Sequence, residues 1–102
     1  MTGLYFKAIR KALCLTQLAI AEVAGYAWST DVSKFERGKE TSESVVDTLK
    51  ETLNAIYTIR IKKNPLLEVA VASNYVELTR GTTEEPEAKA NLKKITLKYK
   101  LK

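Results

Sequence analysis

Residues 16–38, TQLAIAEVAGYAWSTDVSKFERG, read as two short helices joined by a tight turn at Ala24-Gly25. Thr16 stands where a hydroxyl can accept from an orphan N–H of a first helical turn, with an apolar run just after it. Leu18, Ile20 and Ala21 offer the buried stripe of this first helix, and Ala21 is small enough for a second helix to cross closely. Gly25 falls where a helix ends in a left-handed residue, a conformation that costs glycine little. A second helix is expected from Trp28 or Ser29 to Glu36, with Val32 and Phe35 inward and Ser29, Thr30, Ser33 and Lys34 outward. Gly38 closes it, with Arg37 and Lys39 alongside. This is helix-turn-helix geometry.

Working outward, residues 2–14 (TGLYFKAIRKALC) form an opening helix. Leu4 or Tyr5, Ala8 or Ile9, and Ala12 or Leu13 recur at helical spacing, and Lys7, Arg10 and Lys11 take the other side. That basic face is either simply solvated or available to phosphates. After the polar linker 39–42, Thr41 or Ser42 is placed to cap a further helix with Glu43 against its N-terminal dipole. Val46, Leu49, Leu53 and Ile56 give it an amphipathic face. From Tyr57 the pattern fits either an alternating strand or a helix running to Asn64-Pro65.

The C-terminal third reads differently. Residues 67–72 (LEVAVA) and 75–79 (YVELT) are short and β-branched, although a helix capped by Asn64 with Pro65 at its first position also fits. Residues 82–90 read as a polar loop. Ile95, Leu97, Tyr99 and Leu101 then alternate with Thr96, Lys98, Lys100 and Lys102, the period-two pattern of a half-buried strand. Such a strand needs a partner, from residues 67–79 or from a second copy. The lysines from Lys93 onward suit a soluble, guarded edge or a contact with DNA backbone. The expected fold class is therefore a mainly α helix-turn-helix domain of four helices (1–63) with a β-containing dimerisation extension (64–102).

Composition narrows the function. The chain of 102 residues has a formal charge of +5, with ten basic and seven acidic groups before Pro65 and seven and five from it onward. The excess is shared between the two parts and favours a polyanionic partner. There is no histidine, a single cysteine and no Gly-rich phosphate loop, so neither catalysis nor a metal site is expected, and no cofactor. Cys14, between Leu13 and Leu15, is expected to be a small buried apolar residue. No stretch is long enough to span a bilayer and no signal peptide is evident, so the expected location is the cytoplasm, with no membrane partner and no small-molecule ligand.

From about Ile9 to Ala55 the chain resembles the lambda-repressor-like (Cro-type, XRE) helix-turn-helix family. The resemblance rests on Ile9-Arg10, Thr16-Gln17, Ala21, Ala24-Gly25 and the run Val32-Ser33-Lys34-Phe35-Glu36-Arg37-Gly38. One residue more than the family usually has lies between Gly25 and Val32, placed at Tyr26-Ala27, and Trp28 stands where a small capping residue is usual. Residues 8–57 also look like the small autoregulators that accompany anti-CRISPR genes in phages and mobile elements. The resemblance implies an Arg10–Glu36 pair across the helices, a role for Gln17 at a phosphate or in orienting side chains, and autoregulation.

A recognition helix of this kind enters the major groove with its N-terminal residues at the base edges. The expected DNA-binding residues are Gln17, Trp28, Ser29, Thr30, Ser33, Lys34, Arg37 and Lys39. Lys34 suits guanine O6/N7; Arg37 and Lys39 suit phosphates; Trp28 packs on a thymine methyl or sugar, or else caps the core. Asp31 lies close by and opposes DNA unless it faces away or accepts from cytosine N4. The expected partners are operator double-stranded DNA and a second copy, with recognition helices about 34 Å apart on an inverted repeat. Ile95, Leu97, Tyr99 and Leu101 are the expected dimerisation residues. The competing expectation is a protein-interaction module on the same scaffold, such as an inhibitor of a host nuclease or an antitoxin.

Overall fold

A computed structural model of the chain describes residues 1–99. They form six helices in the order α1 (Gly3–Ala12), α2 (Gln17–Val23), α3 (Thr30–Glu36), α4 (Glu43–Lys63), α5 (Leu67–Thr79) and α6 (Glu85–Lys98). The first four match the helices expected from sequence. The β-containing extension is contradicted: no strand occurs among the described residues, and the last third is two helices.

The first three helices are fixed by local chemistry at their ends. Thr2 and Thr16 cap α1 and α2, their hydroxyls accepting from the amides of Tyr5 (3.2 Å) and Ala19 (3.0 Å). At α2's other end Gly25 takes φ +96°. The Gly25 amide then reaches the Glu22 carbonyl and the Tyr26 amide reaches that of Ala21, a Schellman stop. Gly38 (φ +73°) closes α3 in the same way, with the Lys39 amide donating to the Lys34 carbonyl at 2.8 Å. The equivalent position after α1 is Cys14, at φ +59°. Its side chain is exposed, not buried as expected, because the left-handed residue turns it away from the core.

One core joins all of this. Phe6, Ile9, Ile20, Ala21, Val32, Leu49 and Leu53 are buried, and Val71 and Tyr75 of α5 and Ala88 of α6 belong to the same cluster. Leu18, expected in the stripe of α2, is instead exposed. α1 is the central element. Phe6 meets Phe35 of α3 edge-on at 5.3 Å, and Tyr5 meets Tyr75 of α5 edge-on at 5.0 Å. Asn74 of α5 donates to the Ala8 carbonyl at 3.2 Å. Gly3 lets α1 approach α3 closely: a Cβ there would lie 2.1 Å from the Phe35 carbonyl oxygen.

α4 runs through the stretch that fitted either a strand or a helix and ends at Lys63; its C-cap Asn64 (φ −140°, ψ 84°) leaves the helical region that a following proline disfavours. Neither candidate cap closes its start by side chain. The Ser42 hydroxyl meets that of Ser44, and Thr41 donates to the Lys39 carbonyl. α5 replaces the two expected strands and begins beyond the expected proline start, with Leu66 at the capping position. Its valines favour strands in isolation, but Val71, Ala72, Tyr75 and Thr79 form one buried stripe of helical period between α1 and α6. α6 takes in residues 85–90 of the expected polar loop and residues 95–98 of the expected last strand. Pro86 sits in its first turn beside Glu85 and Glu87, where its missing N–H costs nothing and the acids face the positive helix end.

Ile95 is buried, Leu97 is exposed, and the Tyr99 hydroxyl donates to Glu68 at 2.8 Å. Leu101 lies outside the described residues. Ile95 and Tyr99 thus make contacts within the chain, and the described residues offer no strand there for a second copy to pair with. Where α1, α5 and α6 meet, Glu84 accepts from the hydroxyls of Tyr75 (2.7 Å) and Thr2 (2.8 Å). Burial first, and then this carboxylate, push the Tyr75 hydroxyl well above the usual tyrosine range.

Two substitutions separate backbone conformation from side-chain contact. Helix propensity alone would have Gly3→Ala stabilise α1 by about 1 kcal/mol. The approach to Phe35 reverses the sign, and a loss of about 1–3 kcal/mol is expected in urea denaturation. Cys14→Gly removes a left-handed penalty of about 1–2 kcal/mol and adds a smaller unfolded-state entropy, so a net gain of about 0.5–1 kcal/mol is expected in the same measurement.

Candidate nucleic-acid interface

The geometry around α3 starts from a buried ion pair. The Arg10 guanidinium donates to both Glu36 oxygens, from Nε at 2.6 Å and from Nη2 at 2.8 Å. Its Nη1 donates to the Leu15 carbonyl at 2.8 Å, in the turn between α1 and α2. Gln17, at the start of α2, donates from Nε2 to the same Glu36 carboxylate at 3.1 Å. The side chains of the pair are 9% and 1% exposed. Four segments are tied at one point: α1, the α1–α2 turn, the head of α2 and the tail of α3. The cross-helix pair implied by the family resemblance is therefore present. Gln17 serves it as an orienting residue, and its second N–H and its carbonyl are left for other partners.

Because Glu36 faces inward, the opposite side of α3 is presented outward. Thr30, Ser33, Lys34 and Arg37 follow at spacings of 3, 1 and 3, one face of a helix. Thr30, Lys34 and Arg37 are exposed and Ser33 is half-buried. Ser29 holds the capping position without a side-chain cap bond and is half-buried. Lys39 is exposed just past the Schellman stop, and Arg37 donates from Nε to the Ser33 carbonyl at 3.3 Å. Trp28, in the turn, is 77% exposed, so it does not cap the core. Residues 26–29 lie in this turn, and α3 begins at Thr30, later than expected.

Of the expected residues, Trp28, Ser29, Thr30, Ser33, Lys34, Arg37 and Lys39 thus lie along α3 and its two ends, with Gln17 beneath them on the ion pair. Asp31 is half-buried in the first turn of α3, where its charge suits the positive helix end. Of the basic face expected on α1, Arg10 is consumed internally and Lys11 is exposed. Lys7 lines a groove together with Gly3, Leu4, Arg37 and Gly38. Sequence reasoning did not join Lys7 to Arg37. Lys7 precedes Arg10 by about one turn and Arg37 directly follows Glu36, so the ion pair brings both to one groove.

Comparison with protein-family models, with curated proteins and with solved structures finds no match to this chain. No described helix is long and apolar enough to cross a membrane.

The ion pair is separable from hydrophobic burial by two variants. Glu36→Ala strands a buried guanidinium and is expected to cost about 3–5 kcal/mol, whereas Arg10→Met/Glu36→Leu, which removes both charges, is expected to recover most of that loss. Equal urea midpoints for the two variants would contradict the assignment.

Proposed function

We propose that this chain is a sequence-specific DNA-binding transcriptional regulator that reads the major groove with α3. The observation that carries the reading is the outward face of α3, with Thr30 and Lys34 exposed and Ser33 half-buried, held on a two-turn helix by the buried Arg10–Glu36 pair and Gln17. Ser29, Thr30, Ser33 and Lys34 supply the donors and acceptors suited to base edges. Arg37 and Lys39, with Lys7 behind them, supply cations for phosphates. Trp28 offers an exposed apolar edge for a thymine methyl or a sugar. That the protein is an autorepressor of phage or mobile-element origin, acting on an inverted repeat, rests on the family resemblance alone.

The competing module for protein partners is favoured by one feature. Leu18, Val23 and Trp28 leave 46%, 65% and 77% of their surfaces exposed on α2 and the turn after it, more apolar surface than phosphate recognition uses.

Salt dependence and mutation together decide between the two. Binding to the duplex upstream of the protein's own gene is expected to weaken steeply with salt, log K falling against log[salt] with a slope of about −0.9 per phosphate contact. Ser33→Ala/Lys34→Ala is expected to lower affinity for that duplex by more than about tenfold while leaving binding to random duplex nearly unchanged. No specific binding at low salt by a folded protein would shift the function to the protein-partner module.

A further inference from the structure

The outer face of α4 has no role in the core or in the α3 surface. Glu43, Asp47, Glu51, Ala55, Ile59 and Lys63 recur every four residues along it, and all six are exposed. Rows of this spacing form a continuous ridge on a helix, the kind that packs against the same ridge of another helix. The ridge begins with three acids, passes a small residue and a branched one, and ends in a base, with Lys62 exposed beside it. Ile59 is 62% exposed. None of Glu43, Asp47, Glu51, Arg60, Lys62 or Lys63 joins an ion pair among the described residues.

Complementing the helix dipole accounts for Glu43 in the first turn and for Lys62 and Lys63 in the last. It does not account for Asp47 and Glu51, which lie beyond the first turn, or for an exposed isoleucine. We propose that α4 pairs with α4 of a second copy, antiparallel, across a two-fold axis beside Ala55. A two-fold there relates residues equally distant from Ala55. Asp47 of each copy meets Lys63 of the other, about 12 Å from the axis at 1.5 Å rise per residue. Glu51 meets the stretch around Ile59, flanked by Arg60 and Lys62. Every contact is made twice, as an isologous interface requires. Ala55 at the crossing allows the helices close approach, and Ile59 is covered beside it.

The order of charges selects this occupant. An anionic surface, whether lipid or nucleic acid, would gain from the basic end and be repelled by Glu43, Asp47 and Glu51. A parallel copy would place like charges together. Only an antiparallel partner with the same order satisfies both halves, and the chain itself is such a partner. The pairing is independent of DNA and replaces the strand pairing that the helical C-terminus rules out.

Sedimentation velocity on the full chain without DNA tests it. The unmodified protein is expected to dimerise, and high salt is expected to weaken the dimer by screening the exposed charges. Asp47→Lys/Glu51→Lys leaves Glu43 as the one acid on a largely basic ridge, and Lys62→Glu/Lys63→Glu makes it largely acidic. Each variant alone is expected to dimerise at least about tenfold more weakly, while an equimolar mixture recovers a one-to-one heterodimer. All four positions are exposed, and circular dichroism checks that the variants fold. An unmodified chain that stays monomeric at its highest soluble concentration overturns the proposal. So do variants that dimerise as well as the parent, or a mixture that fails to pair. With no DNA present, none of these outcomes bears on DNA recognition.

Discussion

Arg10 and Glu36 are twenty-six residues apart in the chain, and their bidentate contact is where three helices learn their relative positions. Taking both charges out of water costs several kcal/mol per ion, so the pair adds little stability over a hydrocarbon pair of similar volume. Its effect is on arrangement. The guanidinium fork has a fixed planar geometry, and its donors are divided between both Glu36 oxygens and the Leu15 carbonyl. Gln17 adds a fourth bond to the same carboxylate. Sliding α3 along α1, or swinging α2 away, would leave buried charge without a partner. α3 has seven residues, too few to hold a helix in water by itself, so both its helicity and its direction are inherited from this contact and from Val32 and Phe35 behind it.

The backbone turns complete what the ion pair begins. Cys14, Gly25 and Gly38 each end a helix in the left-handed region, so α1, α2 and α3 follow one another with short reversals between them. Gly3 supplies the remaining close approach, α1 against the Phe35 carbonyl at the far end of α3. α3 is therefore gripped near both its C-terminal carbonyls and its last carboxylate, while Trp28 and Thr30 at its start and Lys34 on its outer side remain exposed.

Much of the first half was legible in the sequence because its signals are local. A threonine cap, a glycine at a left-handed stop and an apolar spacing of three or four act over one turn, and Thr16, Gly25, Gly38, Leu49 and Leu53 do in the structure what their positions suggest. Trp28 was not decidable in this way, since its exposure depends on the path of the turn between Gly25 and Thr30. Cys14 was misread because its neighbours Leu13 and Leu15 suggest burial, whereas its backbone conformation turns it outward.

The last third was misread for a different reason. Ile95 and Tyr99 are four apart, a spacing that is both two strand repeats and about one helical turn, so only Leu97 discriminates between the periods. Its 68% exposure marks it as an outward helical position and not as a third member of a strand face. Ala88 upstream extends the helical stripe, but it lies in a stretch whose acids, threonines and proline resemble a loop. Tertiary context settles what the local pattern left open: α5 lies between α1 and α6, so its valines pack on two helices and no longer need a sheet.

That context also changes which surface is free. With Ile95 buried, Tyr99 bonded to Glu68, and Lys98 paired with the same carboxylate, the inner side of α6 is spent on α5. α5 in turn lies against α1, and α1 is covered by α3 on another side. α4 differs from all of these. It is the longest helix, and its core-facing side is supplied by Leu49 and Leu53. On its outer ridge, charge reverses from one end to the other without a partner among the described residues. A solvated face has no need of that order, since interspersed signs would serve solubility as well. Segregated signs on an exposed ridge carry directional information, and the direction they encode is antiparallel.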